Sequence, residues 1–233
     1  MNIYLSIYYS YMRTLDWKLI DTPRALLIGH DPRLRNSDTI AEYALFANYF
    51  FDKTIKDKSF RKKYGLASSS FNQLTDITNG KIKPEEVYVT NLCNFELPHA
   101  PNKKTVYIPE DIARKGVKNI RRIIDEYKSI KYIFPMSLQV NYWLQKLGFY
   151  YSSDEFIKKS TPKIEESLNN PPYYEPAQSK SFLLICGNKY NVNDGPQIVI
   201  PILHSKRFPL NERSRAYKPA YDNIRRMFTD LDS

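Results

Sequence analysis

The sequence predicts an α/β fold: a three-layer αβα sandwich around a central, mostly parallel sheet of four to five strands. Three observations carry this expectation. Short apolar runs recur, at Leu26-Leu27-Ile28, Val87-Tyr88-Val89, Tyr132-Ile133-Phe134 and Ile198-Val199-Ile200. Such runs mark strands covered on both faces. Between them lie longer segments with apolar residues at helical spacing, and that alternation is the signature of a parallel sheet flanked by helices. Three of the runs also end in polar residues, near Asp31, Asn91 and His204. In such a sheet these ends share one edge, and ligands bind outside that edge.

The elements follow in order. Residues 1–22 read as an N-terminal layer around Ile3, Tyr4, Leu5, Leu15, Trp17 and Leu19. The first strand spans about 24–29 and is broken by Gly29 and Pro32. A helix is expected from Ser37 or Asp38 to Lys56, with Asp38 as its cap and Ile40, Tyr43, Ala44, Ala47, Phe50 and Phe51 on its apolar face. Ser68-Ser69-Ser70 reads as a polar break. The second strand, Val87–Thr90, ends in Asn91-Leu92-Cys93-Asn94, and 99–103 reads as a loop. Asp111–Lys128 is an amphipathic helix, Lys131–Pro135 the third strand, and Ser137–Leu147 a helix closed by Gly148. Residues 150–180 hold Pro162, Pro171, Pro172 and Pro176 and read as an irregular excursion. Ser181–Ile185 reads as a further strand, and Ile198–Leu203 as the last, ending at His204 before a basic helix that runs to Phe228.

Length and composition bound the function. The 233 residues suit one domain, 1–233 with its core at about 22–228, and 42% hydrophobic content supplies a core. Lys+Arg 35 against Asp+Glu 25 gives a net charge of +10, which favours a polyanionic partner, nucleic acid before an anionic membrane surface. The 19 tyrosines permit stacking on bases, although tyrosines also pack in cores. Cys93 and Cys186 are far apart, so neither a structural zinc nor an iron–sulfur cluster is expected, and a reducing, cytoplasmic location fits. Met1–Tyr11 is apolar and aromatic but lacks a basic leader and a small-residue cleavage site, so no signal peptide is expected. No apolar stretch approaches the ~18 residues of a membrane span.

Three segments, in order across about 24–228, resemble the uracil-DNA glycosylase superfamily. Gly29-His30-Asp31-Pro32-Arg33-Leu34 is similar to the Gly-Gln-Asp-Pro-Tyr-His motif of the classical branch and to the Gly-Ile-Asn-Pro-Gly-Leu motif of the mismatch-specific branch. The mismatch-specific match continues without gaps into Ala47-Asn48-Tyr49-Phe50-Phe51, similar to that branch's Ala-Asn-Arg-Phe-Trp. Val87-Tyr88-Val89-Thr90-Asn91 resembles the Val-Tyr-Ile-Thr-Asn strand of the thermophilic branch, and His204-Ser205 stands at the place of the His-Pro-Ser motif.

The resemblance implies a role for each position. Asp31 would orient the hydrolytic water or stabilise the oxocarbenium sugar, and His204 would donate to the carbonyl of the leaving base. Asn91 would read the base edge, because a carboxamide offers both a donor and an acceptor to an imide. Tyr43 falls where the family stacks an aromatic ring on the flipped base, with Phe46 as the next aromatic if Tyr43 faces the core. Gly29, His30, Pro32 and Arg33 would shape the pocket, with the amides of His30 and Arg33 toward the base. Lys206, Arg207, Arg213, Arg215 and Lys218, with Ser205, would grip phosphates, and Phe208 or Leu210 would wedge into the base stack. Ser68–Ser70 would form a second loop against the DNA backbone. The implied partner is damaged DNA, single- or double-stranded, and the implied state a monomer. The implied reaction needs no metal or organic cofactor.

Each residue also has a structural reading. Asp31 can cap a turn, Tyr43 can fill a helix face, Asn91 can close a strand, His204 can follow an apolar strand for packing alone, and the basic run can be a solvated face. The chain departs from the family at His30, Arg33 and His204-Ser205-Lys206-Arg207, and it lacks the cluster cysteines of the thermophilic branch. These departures keep a second class open: a catalytically altered member of the fold that binds nucleic acid or nucleotides. An α/β hydrolase or phosphatase with Asp31 as nucleophile ranks last, since the sequence has no Gly-x-Ser-x-Gly elbow or phosphate loop.

Overall fold

Four of the apolar runs form parallel strands, as expected, and a fifth strand closes one edge. The computed structural model describes residues 15–30, 42–52, 65–94, 107–169, 180–205, 210 and 212–230, the side chains at 163, 166–169, 180, 212 and 213 excepted. The strands are β1 (Ala25–Gly29), β2 (Val87–Asn91), β3 (Tyr132–Pro135), β4 (Tyr190–Asn191) and β5 (Ile198–Val199). Their order is β2-β1-β3-β5-β4; β1, β2, β3 and β5 are parallel, and β4 lies antiparallel on β5. The helices are α1 (Ala47–Phe51), α2 (Gly65–Ile77), α3 (Glu110–Glu126), α4 (Leu138–Lys146), α5 (Asp154–Asn169), α6 (Lys180–Leu183) and α7 (Lys218–Thr229).

Chain direction assigns the helices to faces. The crossover from β1 to β2 runs one way along the sheet, and those from β2 to β3 and from β3 to β5 run the other way. Right-handed crossovers therefore put α2 on one face and α3, α4 and α5 on the opposite face. The packing agrees: α2 lies against α7, while α3, α4 and α5 pack in succession. Phe228 of α7 packs on Tyr132 and Phe134, on one side of β3. On the other side of the sheet Tyr88 meets Tyr127, just past α3. The register pairs Leu26 with both Tyr88 and Ile133, which fixes these as opposite faces. Every residue of β1 is buried, as a strand between two helical layers must be.

α3 shows how the sequence builds a layer. Glu110 and Asp111 sit in its first turn, where the helix dipole favours acids. Ile112, Val117, Ile120, Ile123 and Ile124 recur at helical spacing and are all buried.

Four expectations are corrected. The segment that includes Ser181–Ile185 is the short helix α6 and a turn, not a strand. The proline-marked excursion contains the regular helix α5 with Pro162 inside it; Phe156, Ser160 and Ile164, one turn apart, face the interior. The helix expected through residue 56 is, in its described part, extended at Tyr43, turned left-handed at Leu45 and Phe46, and α-helical only over α1. Ser68–Ser70 lies within α2 rather than in a DNA-facing loop. Among the described residues no helix is long and apolar enough to cross a membrane.

Burial sets the expected response to alkali. Tyr150 and Tyr221 are sealed in the interior, and burial raises both phenols well above the ordinary 10.0. A group whose pKa is raised by folding stabilises fully below its unfolded value and loses that contribution as pH rises toward its folded value. Stability is therefore expected to be insensitive to these two groups up to about pH 9, then to fall above the ordinary phenol value by up to ~1.4 kcal/mol per pH unit per group. Urea midpoints at pH 8 and pH 11 measure this. Equal midpoints would show that these phenols titrate freely in the folded protein.

Candidate functional site

The sheet splits at its carboxyl edge. β1 and β2 stay joined beyond their last pair: the Leu92 amide donates to Gly29 O at 2.9 Å and the Cys93 amide to His30 O at 3.0 Å. β3 and β5 also stay joined, with the Ile202 amide donating to Pro135 O at 3.1 Å and the Ser137 amide to Ile202 O at 3.2 Å. Between β1 and β3 the last bond among the described residues is the Met136 amide to Ile28 O, at 3.0 Å. The split lies where the crossovers change face, the position at which open α/β sheets bind ligands.

One bank carries Gly29, His30 and Asn91. Gly29 is the register partner of Asn91, and both are buried. A methyl group on Gly29 would overlap Asn91 Oδ1 and come within 2.7 Å of Leu45 Cδ2. The glycine is thus the floor on which the carboxamide and a leucine side chain rest. Asn91 is 1% exposed, yet neither Oδ1 nor Nδ2 has a hydrogen-bond partner among the described residues. A buried amide left this way costs about 1–3 kcal/mol for each unmet group. The Asp16 carboxylate accepts from Thr90 Oγ1 at 2.6 Å, Asn94 Nδ2 at 3.1 Å, Tyr88 OH at 3.3 Å and Asn119 Nδ2 at 3.4 Å.

The other bank carries Ser137 and His204. Ser137 has φ +76 and ψ 162, a strained conformation for a residue other than glycine, and its buried Oγ has no partner among the described residues. Asn141 of α4 holds this turn by donating Nδ2 to Ser137 O at 2.7 Å and to Pro135 O at 3.1 Å. Tyr150 OH in turn donates to Asn141 Oδ1 at 2.6 Å. His204 follows β5 two residues beyond the Met136–Ile202 bridge and is half-buried. Asn91 and His204 therefore both lie at the carboxyl edge of the parallel strands, on either side of the β1–β3 junction. Asp31, Pro32, Arg33, Lys206, Arg207 and Phe208 lie outside the described residues, and so does the side chain of Arg213.

Two site residues sit differently from expectation. Tyr43 is half-buried on an extended segment, not on a helix face. It bridges to Leu15, and its ring stands edge-on to Trp17 with centroids 5.1 Å apart. Ser205 was expected to face phosphates, but it is fully buried and its hydroxyl shares a hydrogen bond of 3.0 Å with Ser70. Phe46, the alternative stacking residue, is 2% exposed and lies along Tyr49.

Leu45 and Ser137 escaped sequence reasoning. Leu45 and Phe46 occupy consecutive left-handed positions, φ 54 and φ 57, within what reads as a helical apolar pattern. Nothing in the residue types announces this, because left-handed backbone is ordinarily left to glycine or asparagine. Strain of this kind concentrates at functional sites, and here it presses Leu45 onto Gly29. Among the described residues no group of three or more His, Cys, Asp or Glu is placed to hold a metal ion.

A scan against protein-family models finds no match, and a search of curated proteins finds no significant relative.

Proposed function

We propose that this chain is a DNA N-glycosylase with a uracil-DNA glycosylase-like arrangement, acting on uracil or another deaminated base turned out of the stack. The observation that carries the reading is Asn91. Its buried carboxamide leaves one donor and one acceptor unmet at the split of the sheet, and His204 lies on the other side of the β1–β3 junction. The imide edge of uracil offers the complementary acceptor and N–H donor. A cost of this size at a crevice is understandable when a ligand repays it on binding.

In this reading the C1′–N bond of the flipped nucleotide breaks and its electron pair leaves with the base. His204 donates a hydrogen bond to the base carbonyl as negative charge builds there. The carboxylate of Asp31, two residues past Gly29, steadies the cationic sugar and orients the water whose oxygen bonds to C1′. The proton given up by that water balances the charge on the departing base. The net positive charge of +10 favours approach to the phosphate backbone.

The test is base release from single- and double-stranded oligonucleotides carrying uracil, hypoxanthine or xanthine. The wild type is expected to leave alkali-labile abasic sites with at least one of these bases. Asp31→Asn is expected to lower that rate by about 10²-fold or more while still binding the oligonucleotide. Salt-sensitive binding of the oligonucleotides with no release from any of them would overturn the glycosylase reading in favour of a nucleic-acid binding module.

A further inference from the structure

The buried face of α2 carries two polar residues that core packing does not call for. Its other inward residues are Ala67, Phe71, Leu74 and Ile77, yet Ser70 is 2% and Gln73 0% exposed. They are three apart, hence neighbours on one helical face. Both reach the same tripeptide, more than a hundred residues away. Gln73 Nε2 donates to Leu203 O at 3.0 Å and also to the hydroxyl of Tyr221 on α7. The hydroxyls of Ser70 and Ser205 share their 3.0 Å bond, and Ser70 Oγ also donates to Leu66 O at 2.8 Å, which fixes its own rotamer. One residue lies between these anchors: His204.

The regular pairing of β5 ends at Val199, and its last bridge is at Ile202. Beyond that bridge α2 supplies an anchor on each chain neighbour of His204. We infer that Gln73 and Ser70 are positioning residues that fix the His204 backbone from both sides and so aim its imidazole across the split toward Asn91. The inference rests on the glycosylase reading for its consequence in rate, but the orientation of the ring is measurable without any reaction. Misplacing a reacting group by about 1 Å can cost up to 10²-fold in rate, which makes a two-sided clamp worth two buried polar side chains.

The test uses the full chain carrying Gln73→Met, an apolar side chain of similar length, and, because that variant could fold poorly, the milder Ser70→Ala. Two readouts are taken well below the unfolding transition. The first is the ring Cε1–Hε1 NMR signal of His204, assigned among the three histidines by its loss in His204→Gln. It is expected to shift and broaden in both variants, with the signals of the other two histidines unchanged. The second is base release. Gln73→Met is expected to lower kcat about 10-fold with KM within twofold, and to cost nothing further in a His204→Gln background, since residues acting through one another are not additive. A purely structural role would lower the thermal midpoint and leave the imidazole signal in place, and that outcome overturns the inference. So does an equal loss of rate in both backgrounds. If the wild type releases no base, the glycosylase reading fails by itself, and the imidazole signal still decides whether the clamp sets the ring.

Discussion

Asn91→Leu is expected to make the protein more stable and nearly inactive. The leucine side chain fills a similar volume above Gly29 and asks for no hydrogen bonds. The native carboxamide has two unmet polar atoms in a site 1% exposed. Removing both groups at once avoids leaving either orphaned, the case in which a polar-to-apolar exchange is neutral or favourable. The expected gain is about 1 kcal/mol, read as a higher urea midpoint at constant slope. Base release is expected to fall by about 10²–10³-fold, the scale for removing a preorganised hydrogen-bonding group from a reaction site. Opposed changes in stability and activity are the mark of a residue kept for a ligand rather than for the fold. A loss of stability with release intact would mean that the carboxamide serves the β2 turn instead.

The features readable in the sequence share one physical trait. β1, β2 and β5 are apolar runs followed by polar residues, and α3 carries helical periodicity, so local pattern and tertiary burial point the same way. From those runs alone the carboxyl edge could be drawn, and Asn91 and His204 fall on it. The misread segments are those where pattern and context part. Phe182-Leu183-Leu184-Ile185 is too short for periodicity to tell a strand from a buried helical turn. Pro162 suggested irregularity, but α5 accepts it mid-helix, where Thr161 Oγ1 donates to Ile157 O at 2.9 Å in the adjoining turn. The serines at 68–70 look like loop residues because their hydroxyls compete with the backbone. Ser70 instead donates to Leu66 O, one turn back, and α2 continues unbroken.

The site itself was legible only as far as residue type announces a role. A histidine and an asparagine at strand ends are visible in a sequence. A leucine forced left-handed onto a glycine, or a glutamine that reaches 130 positions ahead to a carbonyl, is not. Those features depend on which segments meet, and no local pattern encodes that. The same limit applies to Tyr43: its place in the motif was readable, but its contact with Trp17 depends on an N-terminal segment laid against the edge of β2, where Trp17 and Val89 exchange hydrogen bonds of 2.8 and 2.7 Å.

Gly116→Ala is expected to be the most destabilising single methyl in this part of the molecule. On general grounds it should help, because alanine in a helix interior is favoured over glycine by about 1 kcal/mol. Gly116 lies mid-way along α3, however, and a methyl there would overlap the carbonyl oxygen of Leu92 and lie 2.9 Å from its carbonyl carbon. The obstruction is backbone, which cannot rotate aside like a side chain. Nor can it withdraw cheaply: the Leu92 amide is bonded to Gly29 O, Cys93 to His30 O, and Asn94 to the Asp16 carboxylate. The expected cost is about 3 kcal/mol, the upper range for overpacking a core. Gly65→Ala is the control, since a methyl there meets nothing within 4 Å, and it is expected to leave the urea midpoint unchanged or slightly raised. The consequence reaches the crevice, because Leu92 directly follows Asn91. Whatever fraction of Gly116→Ala folds must move the turn that sets the carboxamide on its glycine floor, so base release per folded molecule is expected to fall as well. Equal midpoints for Gly116→Ala and Gly65→Ala would show that α3 can back away from β2, and that the tight approach at Leu92 does not hold Asn91 in place.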